Sequence, residues 1–161
     1  YKGKHSMIDF REVLIPYIKS KLSNIDVRDG SSTFKQPTDN YVTYYILSEI
    51  VASFQNETIT NTVTEEATYT PLTIASVRIS VRGSSSYVNC KTLWNGLDTI
   101  TNKKSLSDSG VYFMGKGSIT QLPTDKNTRL QEGYLFTLTF SYDNTFTETT
   151  NLSEDITTDG N

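Results

Sequence analysis

Hydrophobic positions along the chain recur first at helical spacing and then at strand spacing, and the switches between the two outline the fold. Ile8, Phe10, Val13, Leu14, Tyr17, Ile18 and Leu22 form one stripe of an amphipathic helix over about 8–22, with Ser6 or Asp9 near its start. Pro16 lies inside that stripe, where it lacks an amide donor and crowds the preceding turn, so a kink or restart is expected there. A loop rich in Gly, Ser, Pro and Asp, "RDGSSTFKQPTDN", separates this helix from a strand. In that strand Val42, Tyr44 and Ile46 alternate with Thr43, Tyr45 and Leu47, and both sets are largely apolar, which predicts cover on both faces. The next segment, "QNETITNTVTEEATYTP", is Thr-rich and polar. Its β-branched Ile59 and Val63 favour extended structure without supplying a core, so a projecting β-hairpin arm is predicted over about 55–70.

Beyond Leu72 the alternation becomes one-sided. Ala75, Val77, Ile79 and Val81 face one way, and Ser76, Arg78, Ser80 and Arg82 the other, as in a strand with one buried face. After the turn "GSSS", Cys90, Leu93, Trp94, Leu97 and Ile100 return to three- and four-residue steps and predict a second helix over about 86–101. The stretch "GVYFMGKGSITQL" reads as a strand bent or bulged at Gly115 and Gly117. "RLQEGYLFTLTFSYD" carries the clearest period of two: Tyr134, Phe136, Leu138, Phe140 and Tyr142 on one face, Gly133, Leu135, Thr137, Thr139 and Ser141 on the other. It is predicted to be central. The segment that follows, "NTFTETTNLSEDITTDGN", is too polar to fold alone. The expectation is therefore an α+β domain over 7–142 with an antiparallel or mixed β-sheet and two helices packed on one face, followed by an acidic C-terminal tail over 143–161.

Composition narrows the classes. A chain of 161 residues with 35% hydrophobic and 20% charged content fits one soluble globular domain, and its apolar runs are too short to span a bilayer. All fifteen Lys and Arg precede Asp143; against thirteen acids they leave the body at +2, while the five acids from Asp143 onward give the tail −5. No concentrated basic face of the kind a dedicated nucleic-acid binder shows is present. Cys90 has no partner for an intramolecular disulfide and no leader of secretory type precedes Met7, so synthesis in a reducing cytoplasm is expected, with the sequon Asn56-Glu57-Thr58 unused.

A search for catalytic chemistry returns little. His5 is the sole histidine and sits near the N-terminus, so no Ser-His or Cys-His pair can be placed on rigid elements and no Cys/His cluster has zinc spacing. The glycines make no phosphate-binding pattern. The acid pairs Glu65-Glu66 and Glu154-Asp155 lie in polar contexts that supply no burial to separate their pKa values. Catalytic, metal and cofactor sites are therefore all expected to be absent. One binding class stays open beside a structural role: a monomeric ligand-binding module with an aromatic platform, against which Trp94 on a helical stripe argues.

The order of elements, with "NYVTYYIL" after a Pro-containing loop, "ASVRISVRG" leading into a helix and "YLFTLTFSY" as the last strand, resembles the tail terminator proteins of tailed bacteriophages over roughly 8–142. The resemblance implies a structural virion protein, not an enzyme, made in the host cytoplasm; the alternative within the same assembly is a head-side connector or stopper of the neck. It further implies a homo-oligomeric ring, usually a hexamer, at the head-proximal end of the tail, where it stops tube growth and docks the head connector. Its partners would be the tail tube, the sheath if the tail contracts, and the neck connector proteins, with genomic DNA passing through unbound. On this reading Tyr41, Tyr44, Tyr45, Ile59, Val63 and Tyr69 are candidates for subunit or partner contacts, because tyrosine combines contact area with a hydroxyl. Glu57, Glu65 and Glu66 are candidate acids near the lumen or the tail junction.

Overall fold

A computed structural model describes residues 9, 11–61, 66–123 and 132–149. Three helices and seven strands follow in the order α1 (Arg11–Lys21), β1 (Asp26–Asp29), β2 (Tyr41–Asn61), β3 (Glu66–Arg82), α2 (Ser86–Gly96), α3 (Ile100–Asp108), β4 (Val111–Lys116), β5 (Thr120–Gln121), β6 (Gly133–Asp143) and β7 (Phe146–Thr149). The strands make one mixed sheet ordered β1-β2-β3-β6-β4, with β5 continuing β4 along β6 and β7 continuing β6 along β3. Among the described residues only the β1–β2 pair is parallel.

Register shows which residues share a face, since directly opposed residues in an antiparallel pair point the same way. Val42, Val81 and Tyr134 stand in one row; Tyr44, Ile79 and Phe136 in the next; Ile46, Val77 and Leu138 in the third. Ala75, Phe140 and Phe113 continue that face, as do Tyr142 and Val111. These side chains join Leu14, Tyr17, Ile18 and Leu22 of α1, Cys90 and Leu93 of α2, Leu97 and Leu106 in a single hydrophobic cluster. The period-two patterns of β3 and β6 thus lie as predicted, and β6 is interior to the sheet.

The helices differ from expectation. The predicted helix over 86–101 is two helices, because the chain turns at Gly96. The Gly96 carbonyl accepts from the Thr99 amide, the Thr99 hydroxyl and the Asn102 side chain, and the Thr99 Oγ1 accepts from the Asn102 amide to cap α3. Ile100, read as part of the buried stripe, is 85% exposed for that reason. The two-helix count is therefore corrected to three. Gly110, at φ 80°, closes α3 in the left-handed conformation that favours glycine. Helix α1 continues through Pro16, and the Tyr17 hydroxyl donates to the Leu93 carbonyl at 2.9 Å, tying α1 to α2.

Three strand features were not read from sequence or were read differently. β1 overlaps the stretch read as loop at Arg28 and Asp29, and it runs parallel to β2 from Asp26↔Tyr41 to Asp29↔Tyr44. β2 and β3 stay paired as far as Asn61↔Glu66, through several register shifts, so the polar segment continues the central strands. The first residues assigned to the acidic tail form β7, which pairs with Glu66–Tyr69 of β3. The register shift between Phe113 and Gly115 sits where the sequence predicted a bulge. Val63, Glu65, the proposed start at Met7 and the remainder of the tail lie outside the described residues.

Candidate assembly surface

The opposite face of the sheet is built from the alternate positions of the same strands. Its rows run Thr43, Ser80, Leu135; Tyr45, Arg78, Thr137; Ser48, Ser76, Thr139; and Ile50, Ile74, Ser141, Tyr112. No described helix contributes to the core from this side, and large apolar side chains stand open on it: Ile50 is 61% and Tyr112 50% exposed. Leu47, the extra residue of the bulge between Ile46 and Ser48, is also exposed, as are Tyr45 and the bulged Met114. A concentration of this kind marks an interaction surface better than scattered exposed residues do.

The tyrosines singled out by sequence part company here. Tyr44 is buried in the core, where burial chiefly, and then the nearby Asp29 carboxylate, raises its pKa. Tyr41 points to the other face but is also buried; its ring meets Phe34 edge-on with centroids 6.3 Å apart, so the loop after β1 covers it. Neither offers surface to a partner. Tyr45 does, at 44% exposure. Tyr69 is partly buried in β3 where β7 pairs, opposite Phe146, and Ile59 and Glu57 lie in distal β2, with Glu66 opening β3. The exposed Ile50, Tyr112 and Met114 were missed, although Ile50 could have been found from the apolar character that resumes after Ser48 and Glu49 in "YYILSEIV".

Nothing described assembles into a catalytic constellation. Cys90 is fully buried and its thiol is pushed up to about 11 by burial, which keeps it protonated and inert. Among the described residues no group of three or more His, Cys, Asp or Glu could hold a metal ion. A polar groove of about 440 Å³ lies between the end of α1 and the start of α2, lined by Lys21, Asn24, Asp39, Asn40, Ser85 and Asn89. Its Asn40 side chain accepts from the Ser85 amide at 2.9 Å, which fixes the turn into α2 and accounts for its polar lining. The sole tryptophan is engaged structurally. Lys116 Nζ stands 3.4 Å from the Trp94 ring centroid, donates to the Trp94 carbonyl and pairs with Asp98, while Trp94 Nε1 donates to the Gly117 carbonyl. That network pins β4 to α2 and leaves no aromatic platform around Trp94. No helix among the described residues is long and apolar enough to cross a membrane.

A sheet packed against helices on one face and bearing open apolar rows on the other has the form of a protein that docks against a partner through its open face. The chain belongs to the phage neck terminator protein family, whose model matches residues 9–161. The match includes the segment read as a tail. None of the curated proteins compared with the chain matches it. Membership makes it a structural protein of the bacteriophage neck, associated with other tail and neck proteins.

Proposed function

We propose that the protein forms a ring, six copies most simply, at the head-proximal end of the phage tail, where it ends growth of the tail tube and presents the surface to which the head connector docks. The observation that carries this reading is the open apolar face, Ile50, Tyr112 and Tyr45 among its rows, in a chain whose family belongs to the neck. Burying such surface supplies the main driving force for stable association. The paired distal parts of β2 and β3, with β7 beside them, serve as an arm that contacts a neighbouring subunit or partner. Glu57, Glu65 and Glu66 lie near the lumen or the tail junction in this arrangement, where their charge keeps DNA from sticking to a channel that must release it.

The test is a phage in which this protein is withheld. Electron microscopy of the particles should show headless tails with tubes of irregular or excessive length, and adding purified protein should restore uniform length and head joining. Tails of normal length that merely fail to join heads would move the protein to the head side of the neck. Native mass spectrometry of particles or of the purified chain reads the ring order. Tight binding of the chain to duplex DNA at physiological salt would contradict a passive channel.

A further inference from the structure

The two edges of the sheet are built to meet. β1 covers β2 only from Tyr41 to Tyr44, and among the described residues no strand pairs with the outer edge of β2 beyond that point. At the opposite side of the sheet, β4 is the last strand and its outer edge is likewise unpaired by any described strand. An exposed strand edge is a template for pairing, and proteins that must stay apart protect it with prolines and charges. Here residues 45–51 hold no proline and a single charge, Glu49, whose Oε1 accepts from the buried Tyr142 hydroxyl at 2.8 Å. β4 likewise holds one charge, Lys116, taken up by Asp98 and the Trp94 carbonyl. Both edges instead carry exposed apolar side chains: Tyr45, Leu47, Ile50 and Val51 on one, Tyr112 and Met114 on the other.

Their geometry also matches. Following the register across the sheet, Val51 lies in the row of Thr73, Tyr142 and Val111, while Ile46 lies in the row of Val77, Leu138 and Lys116. The open stretch of β2 and the whole of β4 therefore stand at the same level and have nearly the same length. Successive antiparallel pairs make β2 and β6 run one way, β3 and β4 the other. Continuing the sheet from one molecule into the next in the same orientation thus sets β2 against β4 antiparallel, the arrangement used within the sheet itself. Charge favours this pairing over β2 against β2: with Arg28 paired to Asp26, Lys104 to Asp108 and Lys116 to Asp98, the β1–β2 edge is left net acidic by Asp29 and Glu49, whereas α3 beside β4 is left net basic by Lys103. Two copies of the acidic edge repel, and an acidic edge meets a basic one favourably.

The geometry points to a second copy of this chain as the occupant: residues 45–51 of β2 pair with β4 of the neighbouring subunit, so that the sheet runs on from molecule to molecule. Such a contact is head-to-tail, the kind that closes into rings. The inference rests on the ring proposed above and names the strands that make it.

Cross-linking tests it, and buried Cys90 leaves introduced thiols as the reactive ones. The double variant Ile50→Cys/Tyr112→Cys, oxidised directly and also bridged with a short bismaleimide to allow for a slip of one residue pair, should give a ladder of covalent oligomers that ends at the ring. Neither single variant should cross-link. A covalent dimer from Ile50→Cys alone would show β2 against β2 and overturn the pairing. An assembly that native mass spectrometry reports as a ring, yet yields no ladder, would overturn the pairing while leaving the ring intact. A chain that stays monomeric at high concentration overturns self-pairing, and the tail-length assay still decides the neck role. Ile50→Lys, on a side chain already exposed, should weaken self-association about tenfold with an unchanged melting temperature; unaltered association would count against the contact.

Discussion

Tyr44 and Tyr45 are consecutive residues of one strand and belong to different physical regimes. Tyr44 enters a row with Ile79 and Phe136 and is buried; Tyr45 enters a row with Arg78 and Thr137 and stays half open to solvent. The same division separates the two faces of the whole sheet. One face is saturated by side chains from three helices, and residues such as Val42, Ala75, Val77 and Val81 show no accessible surface. The other keeps Ile50 and Tyr112 open although they lie in one row with Ile74 and Ser141. The core face is committed to stability within the chain. The open face contributes little to that stability and is free to serve assembly.

That contrast is tested most strongly at its extremes. Phe136→Ala empties the middle of the core face, where the ring is 1% exposed, and should cost about 3–5 kcal/mol in urea unfolding followed by Trp94 fluorescence. Gly83→Ala comes next. Gly83 has φ 122°, and an added Cβ would land on the Asn40 side chain that holds the turn into α2, so a loss of about 1–3 kcal/mol is expected from backbone strain alone. A measured loss under half a unit at either position would contradict the buried-face account.

Alkaline pH gives a smaller effect on the same face. Burial first of all raises the phenols of Tyr17 and Tyr142 above the ordinary 10.0, helped by the Asp98 charge for Tyr17 and by the hydrogen bond to Glu49 for Tyr142. At these two groups the folded protein keeps protons that the unfolded chain releases above pH 10, so their contribution to stability is constant below that pH and falls as pH rises past it. Thermal melts between pH 7 and 11 should show this fall, and Tyr17→Phe/Tyr142→Phe should flatten it. The double variant should also lose about 1 kcal/mol per hydrogen bond at neutral pH. The smallest effect belongs to the open face: Tyr45→Ala should leave monomer stability within about 0.5 kcal/mol. A loss of core size there would mean that the face is packed within the chain after all.

Much of the core face was legible because period-two patterns in β3 and β6 record burial directly: Val77 and Phe136 alternate with Arg78 and Thr137, and only one set can be inside. The break at Gly96 was not legible, because Leu97 and Ile100 keep helical spacing across it; the turn depends on hydrogen bonds that Thr99 and Asn102 make to the Gly96 carbonyl. β1 escaped notice because a short parallel edge strand has only four residues in which to show a period, two of them aspartates. For the candidate surface, the sequence grouped Tyr41, Tyr44 and Tyr45, whereas the fold buries the first two and exposes the third. Nothing local to Tyr41 announces that Phe34 will cover it.

The sequence by itself determined the class of the fold, the buried faces of its central strands and the resemblance to a phage neck family, since each of these follows from residue type and spacing. Only the tertiary structure decided which apolar side chains remain exposed and that the open stretch of β2 stands level with β4 at the far edge of the sheet. The reason is physical: exposure and register are set by what packs beside a residue, and those neighbours lie in other strands, distant along the chain.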